Sequence, residues 1–118
     1  MIRRLFAMLT SALAAPGEGR SPLWPRARAE HLRKEPRCAA CGGTECLQVH
    51  HILPVSWPGG PERELSPANL ITLCESPGRN CHLWWGHLGD FRARNEAAVE
   101  DAASFLTKVK ARPCPPAA

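Results

Sequence analysis

Cys46-Leu47-Gln48-Val49-His50-His51-Ile52-Leu53-Pro54-Val55 and Asn69-Leu70-Ile71-Thr72-Leu73-Cys74 are short, aliphatic and rich in β-branched residues. They predict two short strands, with Pro54 closing the first or marking an edge. Between them Ser56 to Pro67 reads as a long loop around Pro58-Gly59-Gly60-Pro61. After the second strand, Glu75 to Asn80 turns about Pro77-Gly78. Asn80 suits the N-cap of a helix over Cys81 to Leu88, and Gly89 stops it.

Working outward, Arg26 to Glu35 reads as a basic helix that starts after Pro25 and ends before Pro36. A further helix is expected from Glu96 to Ala111, with Val99, Ala102, Ala103, Leu106 and Val109 at helical spacing. The chain has 118 residues, so a single domain is expected, here over residues 21–112. Residues 1–20 form an N-terminal extension and 113–118 a Pro-rich tail. There is no internal repeat. Twelve prolines and nine glycines argue against a long regular helical bundle. The fold class is small α+β: two strands, a helix after them and flanking helices.

Two short strands and one helix bury a small core and need a staple. The cysteines supply one. Cys38 and Cys41 have the two-residue gap that lets both thiolates hold one ion from a tight turn, with Gly42-Gly43 providing positive φ. Cys74 ends the second strand and Cys81 opens the following helix, so hairpin pairing brings both pairs to one end. Four thiolates satisfy tetrahedral Zn2+ with no open position, the structural type. The second pair is separated by six residues, Glu75 to Asn80, and not two, which makes it less diagnostic. Cys46 is near enough to be an alternative ligand, and Cys114 lies in the tail. Six cysteines in a short chain also fit a disulfide-rich secreted protein, but the spacing favours zinc.

The N-terminus has a basic start (Arg3, Arg4), an apolar run from Leu5 to Leu13 and then Ala14-Ala15, like a short signal peptide. Pro16 disfavours cleavage there, and a frayed helix outside the domain is the preferred reading. No segment is long and apolar enough to cross a membrane. A cytoplasmic location is expected over secretion.

Four of the five histidines, His50, His51, His82 and His87, fall in the hairpin-helix segment, while His31 sits alone on the basic helix and is read as structural. Adjacent histidines on a strand point to opposite faces, so by themselves His50 and His51 mean one packed and one exposed ring.

The wider pattern changes this. Val49 to Val55, the Gly59-Gly60 loop, Ala68-Asn69-Leu70-Ile71-Thr72-Leu73-Cys74 and Cys81-His82 together resemble the HNH endonucleases, and Cys38-Ala39-Ala40-Cys41-Gly42 fits their zinc-bearing branch. Leu83-Trp84-Trp85-Gly86-His87-Leu88-Gly89-Asp90-Phe91 resembles small phage-associated or prophage members. The resemblance spans Ser21 to Arg112. It implies the ββα-metal fold, with His51 as general base and His50 and His82 as ligands of a catalytic divalent ion. It also implies that Asn69 pins the loop and orients the base. His87 either adds a ligand or only packs. The cofactors implied are a structural Zn2+ and a catalytic divalent metal: Mg2+, Mn2+, Ni2+ or Zn2+. The partner implied is double-stranded DNA, with no small-molecule cofactor, in a bacterial or phage-encoded protein.

The chemistry is coherent on its own terms. Hydrolysis of a phosphodiester needs a deprotonated water, compensation of charge on the phosphate and help for the leaving oxygen. Histidine takes a proton near neutrality, and imidazole ligands suit Mn, Ni, Co or Zn better than Mg. Both histidines touch one phosphate only if the strand ends or distorts there. Arg26, Arg28, Arg33, Lys34 and Arg37, with Arg92 and Arg94 beyond the metal helix, offer phosphate contacts. The net charge of +4 agrees with an anionic partner. At least one of Trp84 and Trp85 is expected in the core. A non-catalytic zinc-bound nucleic-acid-binding module is the alternative, but it has no need of His50, His51 and His82 together.

Overall fold

The computed structural model describes residues 20–111. The expectations for the N-terminal stretch before Arg20, for the tail after Ala111 and for Cys114 lie outside it. The elements run in the order α1 (Trp24–Lys34), β1 (Leu47–His51), α2 (Gly60–Arg63), a 3-10 turn (Pro67–Asn69), β2 (Leu70–Cys74), a π-helical turn (His82–Gly86) and α3 (Ala98–Ala111). This is a small α+β fold built on one antiparallel hairpin.

Helix α1 begins two residues earlier than expected because Pro25 occupies its first turn, where the missing N–H costs nothing. β1 and β2 pair from Leu47↔Cys74 to His51↔Leu70. β1 is shorter than the expected 46–55. Cys46 has φ 54 and breaks the strand at its start. At its end both backbone polar groups of Leu53 are taken by the Asn69 side chain and not by a neighbouring strand.

All five residues of β2 are buried, so both faces of the hairpin are covered. On one face Thr72 Oγ1 donates to the Glu35 carbonyl at the end of α1 (2.9 Å). On the other, Leu73 and His50 face Gly86 of the π-turn. The period of two along a strand assigns every other residue to these two faces.

The long loop is partly ordered by the short α2. Gly60 is required there: a Cβ at that position would lie 2.0 Å from the Pro54 carbonyl oxygen.

The helix expected over 81–88 is instead a π-wound turn over 82–86. Asn80 Oδ1 does accept from the Leu83 N–H (3.2 Å), as its capping role requires. Leu88 and Gly89, at φ 56 and 85, end the turn. Asn95 Oδ1 accepts from the Ala97 amide (2.9 Å) in the turn that leads into α3 at Ala98. Its inward face carries Ala98 and Ala102, both buried, with Phe105 stacked on Trp85 at 4.9 Å. Val99 and Ala103 point outward, off the expected stripe.

The core consists of Cys38, Ala40, Ile71, Leu73, Cys74, Cys81 and Ala102. Three of its seven members are cysteines, so the centre of this fold is a thiol cluster and not an aliphatic one. No helix among the described residues is long and apolar enough to cross a membrane.

Candidate metal centres

Two clusters of candidate ligand side chains lie along the hairpin, one at its Leu47↔Cys74 end and one around His50, beside its other end. In the first, Cys38, Cys41, Cys74 and Cys81 present sulfurs that all lie within 4.8 Å of one another. Cys41 and Cys74 are 3.8 Å apart, the edge length of a tetrahedron of sulfurs each about 2.3 Å from a shared ion. The described cysteines are all free, and Cys46, at a left-handed backbone position, is exposed. The donor set fits Zn2+. A hydrogen bond from Cys81 pushes the Cys38 thiol down to about 4, and Cys81 is in return pushed up. The Cys41 amide also donates to Cys38 Sγ (3.4 Å) and Arg79 to Cys41 Sγ (3.7 Å). The insertion between Cys74 and Cys81 is closed on itself, with the Arg79 and Asn80 amides donating to the Ser76 carbonyl. It does not separate the pair.

In the second cluster His50, His82 and His87 meet edge to face, with ring centroids 4.7–4.9 Å apart. His50 Nδ1 and His82 Nε2 are separated by 3.1 Å, as expected for two nitrogens each about 2.1 Å from one ion. Each of the two helical-turn rings is fixed by its other nitrogen. His82 Nδ1 donates to Glu75 Oε2 and His87 Nδ1 to the Ala93 carbonyl, both at 2.8 Å. Both therefore turn a lone-pair Nε2 toward the cluster. His50 Nε2 lies against Gly86, buried and without a hydrogen-bond partner. Burial, and after it the neighbouring imidazoles, pushes His50 down to about 3. Burial also lowers His82, against the opposing effect of Glu75. Neutral imidazoles are the ligand form, so the set fits a divalent ion.

The spacing of His82 and His87 explains the π-turn. In an α-helix, residues four apart share a face and residues five apart do not. The wider π-wound turn, a feature common at functional sites, brings the i and i+5 rings together.

His51 lies on the opposite face from His50, as strand alternation requires. Its ring stacks on Trp24 at 4.4 Å, and its Nε2 donates to the Glu64 carbonyl at 2.9 Å. The lone pair is thus on Nδ1. Burial holds the ring below its ordinary range, with the Glu64 carbonyl opposing. β1 ends at His51 and the chain bends at Ile52–Leu53.

Asn69 touches neither cluster. Its amide takes Leu53 N–H (2.8 Å) and donates to the carbonyls of Leu53 (3.1 Å) and Arg63 (3.3 Å). It thus ties both ends of the loop that carries Glu64. Asn69→Ala is expected to cost about 1–3 kcal/mol, the penalty of buried partners left unpaired. Chemical denaturation measures that loss, and faster hydrogen exchange at the Leu53 amide localises it.

Of the basic residues, Arg33 and Lys34 pair with Glu30 and Arg92 with Asp90. Arg94 pairs with Glu96 and lies over the Trp57 ring at 4.5 Å. Arg37 donates to the Gly42 carbonyl. Arg26 and Arg28 have no side-chain partner among the described residues. His31 is buried in α1 near Glu35, a packed role. Trp85 packs inside, and Trp84 is exposed.

Glu75, Glu64 and Trp24 were not singled out from the sequence. Glu75 sat in a segment read only as a turn. The available signal was its position directly after Cys74, matching that of His82 directly after Cys81.

Residues 38–83 match the family model described as HNH endonuclease, about two-fifths of the chain. No curated protein and no solved structure matches. The matched segment holds the four cysteines, the hairpin, His50, His51, Asn69 and His82, and stops short of His87 and the C-terminal helix. Over residues 38–83 the chain is thus similar to the HNH endonuclease family.

Proposed function

We propose that the protein is an endonuclease that hydrolyses phosphodiester bonds of double-stranded DNA. The observation that carries this reading is the pairing of a neutral histidine triad with an adjacent buried histidine whose tautomer is set by a backbone carbonyl. A non-catalytic binder has no use for either.

In this reading His50, His82 and His87 hold a divalent ion, and Cys38, Cys41, Cys74 and Cys81 a structural Zn2+. The divalent ion, when bound, offsets negative charge on the phosphate and on the departing 3′-oxygen. His51 Nδ1 takes the proton of the attacking water as the new P–O bond forms and the bond to the 3′-oxygen breaks. The Glu64 carbonyl keeps Nε2 protonated and Nδ1 available, and burial keeps the ring unprotonated at neutral pH. Asn69 is a positioning residue acting through the loop that carries Glu64. Arg26, Arg28 and Arg37 on the approach to the knuckle formed by the Cys38–Cys41 turn, and Arg33, Lys34, Arg92 and Arg94 with their acidic partners displaced, contact backbone phosphates.

A plasmid-nicking assay tests the reading. Supercoiled DNA is expected to be cut when Mn2+, Ni2+ or Mg2+ is added to the zinc-loaded protein, and left intact in its absence. The imidazole set predicts faster cutting with Mn2+ or Ni2+ than with Mg2+. Metal-independent binding to DNA without nicking under any of these ions would establish the binding-module alternative.

A further inference from the structure

Two dipeptides face each other across the closed turn 76–80. Cys74-Glu75 leaves β2, and Cys81-His82 opens the π-turn. The first residue of each pair belongs to the thiol cluster. The second residues meet one another, with His82 Nδ1 donating to Glu75 Oε2 at 2.8 Å. The Glu75 backbone is itself anchored, its amide donating to the Cys46 carbonyl at 2.8 Å. The result is a ladder of two rungs, one of sulfur and one of carboxylate and imidazole. The turn that presents His82 to the histidine cluster also presents Glu75 to His82.

Among the three rings of that cluster, His82 alone is hydrogen-bonded to a carboxylate. His87 is held by a neutral carbonyl, and His50 Nε2 has no partner. A carboxylate on the far nitrogen of a ligating imidazole does two things. It fixes which nitrogen carries the proton, and it makes the opposite nitrogen a stronger donor to an ion. A solvent-exposed ion pair would contribute little to stability, but this hydrogen bond joins a ring whose side chain is 17 % exposed, and its geometry aims Nε2 at His50 Nδ1.

We propose that Glu75 is the positioning residue of the histidine cluster, orienting His82 and strengthening its Nε2 as a ligand for a divalent ion. This rests on the reading of His50, His82 and His87 as an ion site. It predicts that affinity at this site depends on a residue that never touches the ion, and that the dependence is carried by the stretch between the two last thiolates.

The test is titration calorimetry of Ni2+ into the zinc-loaded full chain, comparing the parent with Glu75→Ala, Glu75→Gln and His82→Ala. Glu75→Ala is expected to weaken Ni2+ binding about 10–100-fold, the usual effect of removing such a partner, with knuckle zinc at the parent level. Glu75→Gln keeps an acceptor oxygen and loses the charge, so it is expected to fall between the two. Should Glu75→Ala lose its knuckle zinc, the isosteric Gln variant decides, and parental affinity in that variant overturns the proposal. Parental affinity in a zinc-loaded Glu75→Ala likewise overturns it. If His82→Ala binds Ni2+ as tightly as the parent, the ion-site reading itself fails. Nitrogen-15 spectra of the imidazoles in the absence of Ni2+ give a second readout. His82 is expected as the Nδ1–H tautomer in the parent and as a mixture in Glu75→Ala. An unchanged tautomer in the variant counts against the proposal.

Discussion

His51→Ala is expected to lower plasmid cleavage by about 10²–10⁴-fold, the range that a positioned general base contributes, while Ni2+ affinity and knuckle zinc stay at parental values. The separation follows from strand geometry. His50 and His51 are consecutive but belong to opposite faces of β1. His50 turns to Gly86 and His82, and His51 to Trp24 and the Glu64 carbonyl. Removing the His51 imidazole therefore takes no ligand from the cluster. It leaves a hole against Trp24, and the variant is expected to lose some stability while remaining folded. His50→Ala should show the reverse pattern, with metal affinity falling and the fall in cleavage partly recovered at high ion concentration. Parallel measurement of cleavage and Ni2+ binding separates the two. Cleavage by His51→Ala at the parental rate would remove His51 from the base role.

What the sequence revealed, and what it hid, follows one physical division. Local chemistry was legible. The β-branched runs gave the hairpin, Pro25 and Pro36 bracketed α1, and Cys38 with Cys41 announced a two-ligand turn. The paired spacing of Cys74 and Cys81 was ambiguous only because six residues intervene, and closure of that insertion on the Ser76 carbonyl resolves the ambiguity. Geometry that depends on backbone winding was not legible. A spacing of five positions between His82 and His87 argues against a shared face under α-helical periodicity, and only the π-winding reverses this. Side-chain partners from turns were equally hidden, because Glu75 and the Glu64 carbonyl act through positions that carry no periodic signal.

The basic surface is a related case. Seven cationic residues read alike as a charge run, but Glu30, Asp90 and Glu96 occupy four of them in the structure. Such exposed pairs are weak, so a phosphate can compete for each cation. Arg26 and Arg28 require no such exchange, which makes them the positions where neutralisation should most reduce DNA affinity per charge removed.

Removal of the thiolate-bound ion is expected to unfold the domain outright. The core has few large apolar side chains: among residues under 2 % exposed, the largest are Leu73, Thr72, Cys38 and Cys74. A core of this size holds a chain of this length near the margin. Structural zinc in small domains contributes about 10–16 kcal/mol of apparent binding free energy at neutral pH. That matches or exceeds the roughly 5–15 kcal/mol net stability of ordinary domains. An ion held by the four thiolates would join the turn after α1 to the end of β2 and the start of the π-turn. Cys74→Ser, at a position with 0 % exposure, replaces a soft ligand with a poor one inside the core and is expected to abolish the cooperative thermal transition seen by circular dichroism. Prolonged treatment of the parent with a strong chelator should give the same loss, reversed by adding zinc. Because Cys74 and Cys81 each precede a residue of the Glu75–His82 pair, the histidine cluster should disappear with the fold, and Ni2+ titration of the chelated protein should show no site of parental affinity. A chelated sample proven free of zinc that still melts at the parental temperature would show that the aliphatic residues hold the fold alone.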